Sequence, residues 1–253
     1  MKGPADPGSS PTARFSSRVA DYVRYRPGYP PALLDHLVAI GALHEQAVVA
    51  DVGSGTGILT RALQERGAQV HAIEPNADMR AAASSTSVTS WPGRAEATGL
   101  PGASVDLICA AQAFHWFAPV AARSEFVRIL RPGGWVALIW NTRLTTTPFL
   151  QGYEALLQRW GTDYAAVNHR GDTPARVASF FAAPWDHRTF ANAQHFDLDG
   201  LLGRVRSSSY TPPPGHRDHA PMMSALADLF AAHVVGGVVT FAYETELYSS
   251  RLC

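Results

Sequence analysis

VVADVGSGTG, Val48 to Gly57, is the stretch whose reading decides the fold of this chain. An apolar, β-branched run carries an acid, Asp51, near its end and then breaks into glycines on alternate positions, Gly53, Gly55 and Gly57. Continuous apolar runs of this kind form strands buried on both faces of a parallel sheet. The glycines allow positive φ and let a ligand touch main chain where a Cβ would collide. The helix expected from about Thr56 points free N–H groups into the same space. Asp51 then sits at the carboxyl end of its strand, where open α/β sheets bind ligands. A bare strand-to-helix turn needs neither the acid nor so many glycines.

The rival is a dinucleotide site, whose fingerprint is G-x-G-x-x-G. Counted from Gly53, the place of the last glycine holds Ile58, and Gly57 comes one residue early. A carboxylate at Asp51 would repel a pyrophosphate but accept hydrogen bonds from an amino-bearing ligand. The spacing disfavours a nicotinamide dinucleotide. Glu74 closes the next apolar run, 23 positions after Asp51. A carboxylate there can accept from both hydroxyls of a ribose, as in dinucleotide folds, or stand as an exposed charge at a strand end. Pro75 and Met79 follow it, as an apolar rim for an adenine or as core.

Outward from this stretch, strands and helices alternate. AVVADV, QVHAIE, a weaker SVTSW, VDLICAA and, after the RPGG turn, WVALIWN read as strands. GILTRALQERG, the Asp78–Ala83 region and APVAARSEFVRIL read as helices. Such alternation implies right-handed βαβ units and a parallel sheet. Upstream, FSSRVADYVRYRPGYPPALLDHLVAIGAL reads as a helix, with Leu33, Leu37 and Ile40 at helical spacing after a Pro pair suited to a first turn. Residues 1–14 read as a disordered leader rich in Gly, Pro, Ser and Ala. After Asn141 the texture changes to loop and helix, then a strand at HRTFANAQHFDL, a helix at 219–233 and a final in-out strand, GVVTFAYETELY. The short connection before that strand suits an antiparallel edge. The expected division is 1–14 leader, 15–141 core, 142–234 lid and substrate side including the sixth strand, and 235–253 last strand.

The 253 residues carry 21 basic and 21 acidic side chains and are 46% apolar, enough for one large α/β core. Balanced charge argues against an extended nucleic-acid footprint. No apolar run spans a bilayer and no signal pattern opens the chain. Cys109 and Cys253 form neither a disulfide framework nor a metal site, and the histidines lack a ligand spacing such as H-E-x-x-H. The chain reads as a soluble, cytoplasmic globular protein with no metal.

D-V-G-S-G-T-G (51–57), A-I-E-P-N (72–76), V-D-L-I-C-A-A-Q-A-F-H-W-F (105–117) and I-L-R-P-G-G-W (129–135) together resemble class I S-adenosylmethionine-dependent methyltransferases. Y-x-x-Y-R-P-x-Y-P (22–30) and A-F-H-W-F are similar to the small-molecule group that includes trans-aconitate methyltransferase-like enzymes. The resemblance implies a Rossmann-like seven-stranded sheet, mostly parallel, with helices on both faces and the last strand inserted antiparallel beside the sixth. It also implies S-adenosylmethionine as cofactor, with S-adenosylhomocysteine as product. Asp51 with Gly53, Ser54 and Gly55 would hold the methionine end and Glu74 the ribose. Pro75, Met79, Ala95 and Glu96 would flank the adenine. Arg94 stands where many relatives have an acid, so the adenine amino contact would fall to main chain near Ala95 or to Glu96. Tyr25, Ala111 and Gln112 would complete the donor site.

Methyl transfer from a sulfonium is an in-line displacement for which a protein supplies orientation and a water-poor pocket. Aromatic faces stabilise the spreading positive charge. Tyr22, Tyr25, Tyr29, His115, Trp116, Phe117 and Trp140 are candidates for that lining, with Tyr22, Arg26, Trp116 and Trp140 on the substrate side. His115 is the candidate general base for a hydroxyl, phenol or amine, because a histidine's ordinary pKa lies near neutrality; orienting its loop is the other role open to it. A carboxylate acceptor needs no base, and arginines would then bind it; Arg26, Arg143, Arg204 and Arg206 are candidates, each also readable as a structural or solvated cation. SSSYTPPPG (207–215) is a rigid loop at the mouth or an ordinary connection.

The leading expectation is a methyltransferase acting on a small-molecule carboxylate, hydroxyl or amine, with no nucleic-acid or membrane partner. A catalytically silent module that only binds the cofactor is the alternative. A nucleic-acid methyltransferase is disfavoured by the neutral charge and the lack of an N/D-P-P-Y motif, and an oxidoreductase by Ile58.

Overall fold

The protein is described by a computed structural model over residues 19–162, 164 and 173–252, without the side chains of residues 19, 20, 22 and 173. The expected leader, Cys253 and the Tyr22 side chain lie outside the described residues. The strands are β1 (Val48–Val52), β2 (Gln69–Ile73), β3 (Ser90–Trp91), β4 (Val105–Ala111), β5 (Leu130–Arg143), β6 (Asp186–Phe196) and β7 (Val239–Arg251). The helices are α1 (Val19–Tyr25), α2 (Pro31–Ala39), α3 (Ile58–Gln64), α4 (Ala77–Ser84), α5 (Pro119–Ile129), α6 (Pro148–Trp160), α7 (Thr173–Phe181), α8 (Leu198–Arg206) and α9 (His219–His233).

The seven strands make one sheet in the order β3-β2-β1-β4-β5-β7-β6. β1 to β5 pair in parallel, and β7 runs antiparallel to both of its neighbours. The continuous apolar runs of the central strands are explained by helices on both faces. Ala50, Val52, Ile108, Ala110, Val136 and Leu138 pack with Phe126 and Ile129 of α5 and Phe180 and Phe181 of α7. Val49, Leu107, Cys109, Ala137 and Ile139 pack with Leu33 and Leu37 of α2 and Leu59 and Leu63 of α3. Both layers remove large apolar areas from water, each buried Leu or Phe side chain being worth about 1.5–3 kcal/mol.

A third core joins α6, α8 and α9 to the start of β7 through residues such as Tyr153, Leu201, Leu226 and Phe241. Because β7 is antiparallel to β5, with Arg143 opposite Tyr243, this helical layer stands beyond the carboxyl ends of the parallel strands. That is where an α/β sheet binds its ligands.

Several expectations need correction. The last strand is antiparallel and lies beside the sixth, as the resemblance implies, but not at the edge that its short connection suggests. It is threaded between β5 and β6, and β6 is the edge, with one face largely exposed. The upstream segment is two helices, because Pro27, Pro30 and Pro31 break the chain between α1 and α2. β5 begins before the RPGG segment. Leu130 pairs with Val105, Trp135 resumes the ladder at Leu107, and the four intervening residues bulge out. Of SVTSW, only Ser90 and Trp91 pair with β2.

Candidate functional site

β1 carries Asp51 to the end of the sheet, where it is 1% exposed. Thr60, in α3, donates to its Oδ2 at 2.6 Å, while Oδ1 is buried with no hydrogen-bond partner among the described residues. Burial is the largest influence on this carboxyl and raises its pKa to about 6; the Thr60 bond opposes the rise and the charge of Glu74 adds to it. A buried carboxylate with one oxygen unsatisfied is costly unless something completes it.

The loop after β1 is shaped by its glycines. Gly53 takes φ +73°, and a Cβ there would come 2.5 Å from Ala113 Cβ, so only glycine fits between the loop and the chain beyond β4. Gly55 takes φ +56° with nothing within 4 Å of the would-be Cβ, which leaves its outer side open. The loop is tied to β2 because Gly53 and Ser54 both donate to the Ile73 carbonyl, at 2.8 and 3.1 Å.

Glu74 is 8% exposed. Its Oε2 accepts from Gly55 N at 3.0 Å and its Oε1 from Asn76 N at 2.8 Å, so backbone amides fix both oxygens while each keeps a further lone pair. Burial raises its pKa against those bonds. Asn76 then caps α4, accepting from Asp78 N and Met79 N.

Across the cleft, Gln112 is held in the left-handed region at φ +55°, a strained setting for a non-glycine residue. Its backbone N–H donates to Ile139 and its side chain to the Asn141 carbonyl. Tyr29 reaches the cleft from the segment between α1 and α2. That segment is pinned through Gly28, whose carbonyl accepts from Asn141 Nδ2 at 3.1 Å and Asn192 Nδ2 at 2.9 Å. The resulting cleft is shallow, with a cavity volume of about 60 Å³. It is lined by Tyr29, the Asp51 and Gly53–Thr56 loop, Ile58, Leu59, Ala111 and Gln112.

Of the residues singled out in the sequence, Tyr29, Asp51, Gly53, Ser54, Gly55, Ala111 and Gln112 line this cleft, and Glu74 is bonded to its loop. The others stand apart from its lining. Tyr25 packs in the third core with its ring against Gly203 of α8. Pro75 is exposed, Met79 is buried, and Ala95 is buried in the core below. Glu96 accepts from Ala118 N at 2.7 Å, at the start of α5. His115 lies beside Trp116, ring centroids 4.8 Å apart, and Trp116 is 41% exposed. Trp140 packs edge-on between Phe114 and Tyr248. Arg26 donates to the Ser207 carbonyl at 3.0 Å, under the helical layer. Thr60, Asn141 and Asn192 were not anticipated, since nothing local to them marks their partners.

Comparison with known proteins places this geometry. Residues 50–138, the span from β1 to β5, match a family described as "Methyltransferase domain". Over that span the chain is similar to methyltransferase domains. An uncharacterized methyltransferase of Mycobacterium tuberculosis is 44% identical over 133 residues, 51% of this chain and 52% of that protein. A methyltransferase-like protein of Schizosaccharomyces pombe is 33% identical over 163 residues, 59% of each. The chain thus spans a little over half the length of these curated relatives. Among solved structures, a candidate type II methyltransferase from Anaeromyxobacter dehalogenans superposes with a TM-score of 0.68 at 22% identity, over 90% of this chain and 98% of that one. A SAM-dependent methyltransferase from Geobacter sulfurreducens, solved with S-adenosyl-L-homocysteine, gives 0.50 at 17% identity over 94% and 97%. These likenesses show that the fold of the methyltransferase domain extends beyond residues 50–138 to the sheet as a whole.

Proposed function

We propose that the protein transfers a methyl group from S-adenosylmethionine to a small-molecule acceptor carrying a carboxylate, hydroxyl or amine, as in the trans-aconitate methyltransferase-like group its motifs resemble. The carrying observation is the orphaned Oδ1 of Asp51 at the wall of a glycine-lined cleft. The donor set suits this cofactor: a buried carboxylate for an ammonium group, an open glycine backbone at Gly55, and an amide-fixed carboxylate at Glu74 for ribose hydroxyls.

When bound, S-adenosylmethionine supplies an electrophilic methyl on a sulfonium. Asp51, ionised and locked by Thr60, holds the amino-acid end. Glu74 orients the ribose, and Met79 with Pro75 and Ala95 borders the base. Ala111 and Gln112 form the wall facing the acceptor, and Tyr29 excludes water from above. His115 takes the proton of a hydroxyl or amine acceptor on an imidazole nitrogen, while a carboxylate acceptor needs no such step. Within the expected lid segment, α6, α8 and α9, standing beyond the strand ends, act as the lid. The exposure of Trp116 and partial exposure of His115 support catalysis over a silent cofactor-binding module.

Calorimetry with S-adenosylhomocysteine tests the donor site. Binding that is weakened in Asp51→Ala and Glu74→Ala is expected, and unchanged affinity in both would overturn the reading. A homocysteine-product assay over carboxylates, phenols and amines tests turnover.

A further inference from the structure

Beneath the helical layer, the structure gathers three arginines that the sequence scatters over almost 180 residues, Arg26, Arg143 and Arg204. Arg204 of α8 is 5% exposed, and its hydrogen bonds go to neutral oxygens: Tyr243 Oη at 3.3 Å, Ser207 Oγ at 3.5 Å and Ser208 Oγ at 2.9 Å. Among the described residues no carboxylate pairs with it. Arg26 joins it at the adjacent serine, donating to the Ser207 carbonyl. Arg143, at the end of β5, pairs with Glu154 and lies over the Tyr153 ring at 4.7 Å. The Tyr153 hydroxyl is itself buried with no hydrogen-bond partner among the described residues.

A guanidinium deprived of water and answered only by neutral hydroxyls is a costly arrangement, and so is an unsatisfied phenol beside it. One oxyanion seated between them would answer both, accepting charge-assisted bonds from the arginines and a bond from the phenol. Arg143 donates to Tyr164 Oη at 3.1 Å, and the Tyr164 ring lies 5.1 Å from that of Tyr210. Burial would raise the pKa of Tyr210, yet Arg204, Arg26, a hydrogen bond with Ser208 and Arg143 hold it below the usual phenol range. Tyr210, Tyr164 and Arg26 are partly exposed, so the cluster is reachable from outside. Short stretches of chain link it to the cleft. Arg26 is followed closely by Tyr29 in the cleft wall, and Arg143 follows Asn141, whose carbonyl is bonded by Gln112 of the opposite wall.

We propose that Arg204, Arg26 and Arg143, with the Tyr153 hydroxyl, form a seat for a carboxylate of the acceptor, so that the substrate is a small organic acid anchored through an oxyanion in the lid. The seat follows from the cluster alone; that its occupant is the methyl acceptor rests on the methyl-transfer reading above.

The test is calorimetry with acetate, benzoate, succinate and glutarate, each beside its neutral amide, on the full chain with and without S-adenosylhomocysteine. At least one acid is expected to bind while its amide does not. Arg26→Gln, at a partly exposed position, and Arg204→Gln are each expected to weaken that acid by about tenfold or more, the scale of a lost charge-assisted bond. Both variants should keep the affinity for S-adenosylhomocysteine, which also reports that they fold. Equal binding of acids and amides, no acid binding at millimolar concentration, or unchanged affinity in Arg26→Gln would overturn the seat. So would a tyrosinate band in the ultraviolet spectrum at neutral pH, because Tyr210 would then balance the charge internally. Acid binding without S-adenosylhomocysteine binding would keep the seat and overturn the donor reading, and the converse would do the reverse.

Discussion

The Thr60 hydroxyl donates to Asp51 Oδ2 at 2.6 Å, and by doing so it decides which carboxylate oxygen faces a ligand. The bond runs from α3 back to β1, so the helix that follows the glycine loop also fixes the rotamer of the acid that precedes it. Two pieces of one short stretch are thereby made into a single rigid unit.

The first expected outcome concerns pH. Burial raises Asp51 to about 6, and only the ionised carboxylate attracts an ammonium group. Affinity for S-adenosylhomocysteine should therefore climb as pH rises through that value and level off above it, which calorimetry on either side would show. Stability of the ligand-free protein carries the opposite sign. The folded state holds the Asp51 proton more tightly than the unfolded chain, so this group's contribution falls as pH rises from the ordinary carboxylate range to about 6. Asp51→Asn should remove that step from a series of denaturation curves and weaken the ligand.

Replacing Thr60 isolates the bond itself. Thr60→Val strips Asp51 of its side-chain donor, so the titration midpoint should move upward and stability should drop by about 1–3 kcal/mol at neutral pH. Thr60→Ser keeps a hydroxyl and should recover much of both. A midpoint that stays put in the valine variant would contradict the role given to this bond.

Two glycines make a paired comparison. Gly53→Ala places a methyl 2.5 Å from Ala113 and also strains a left-handed residue, which should cost about 1–3 kcal/mol in overpacking alone. Gly55→Ala meets open space, so it should cost only the backbone strain of about 1 kcal/mol while its methyl obstructs the cleft. Melting should thus single out Gly53→Ala, and a ligand titration should show clear weakening in Gly55→Ala.

Glu125 should matter at acid pH. It accepts from Thr98 N at 2.8 Å, from Thr98 Oγ1 at 2.6 Å and from Arg128, tying the 93–100 loop to α5. The Arg128 hydrogen bond is the largest influence and, with Thr98, lowers its pKa to about 2 against burial. Its stabilisation is present above the ordinary glutamate range and is lost as pH falls toward about 2. Glu125→Ala should therefore melt lower at neutral pH, with the gap to the native protein closing in acid.

Much of the fold is written locally. VVADV, VDLICAA and WVALIWN announce themselves because a strand buried on both faces must be apolar throughout. Asp51, the glycine loop and Glu74 are legible for a similar reason, since strand ends and turns impose their own residue types. Asn192 is not legible: its partner Gly28 lies 164 positions away, and an asparagine on an edge strand has no local mark of purpose. The arginines could be named one by one, but their meeting depends on how α8 packs over β5. Tyr25 and Tyr29 look alike in the sequence, and only the proline break between α1 and α2 turns one into the third core and the other into the cleft. The position of β7 was half legible, because alternation marks a strand and a short connection marks its direction, while the choice between edge and interior is made by tertiary packing.

The threading of β7 sets an order of events during synthesis. Its partners β5 and β6 have both left the ribosome before residues 239–251 are made, and neither pairs with the other in the finished sheet. Until then β5 is an open border of the growing sheet and β6 has nothing to join. The helical layer rooted on β7, with the arginine of α8 inside it, cannot close over the strand ends before that last segment arrives. The domain that would hold the donor can therefore assemble early, whereas the chamber above it is completed only by the final strand, the slow and long-range step of the chain's folding.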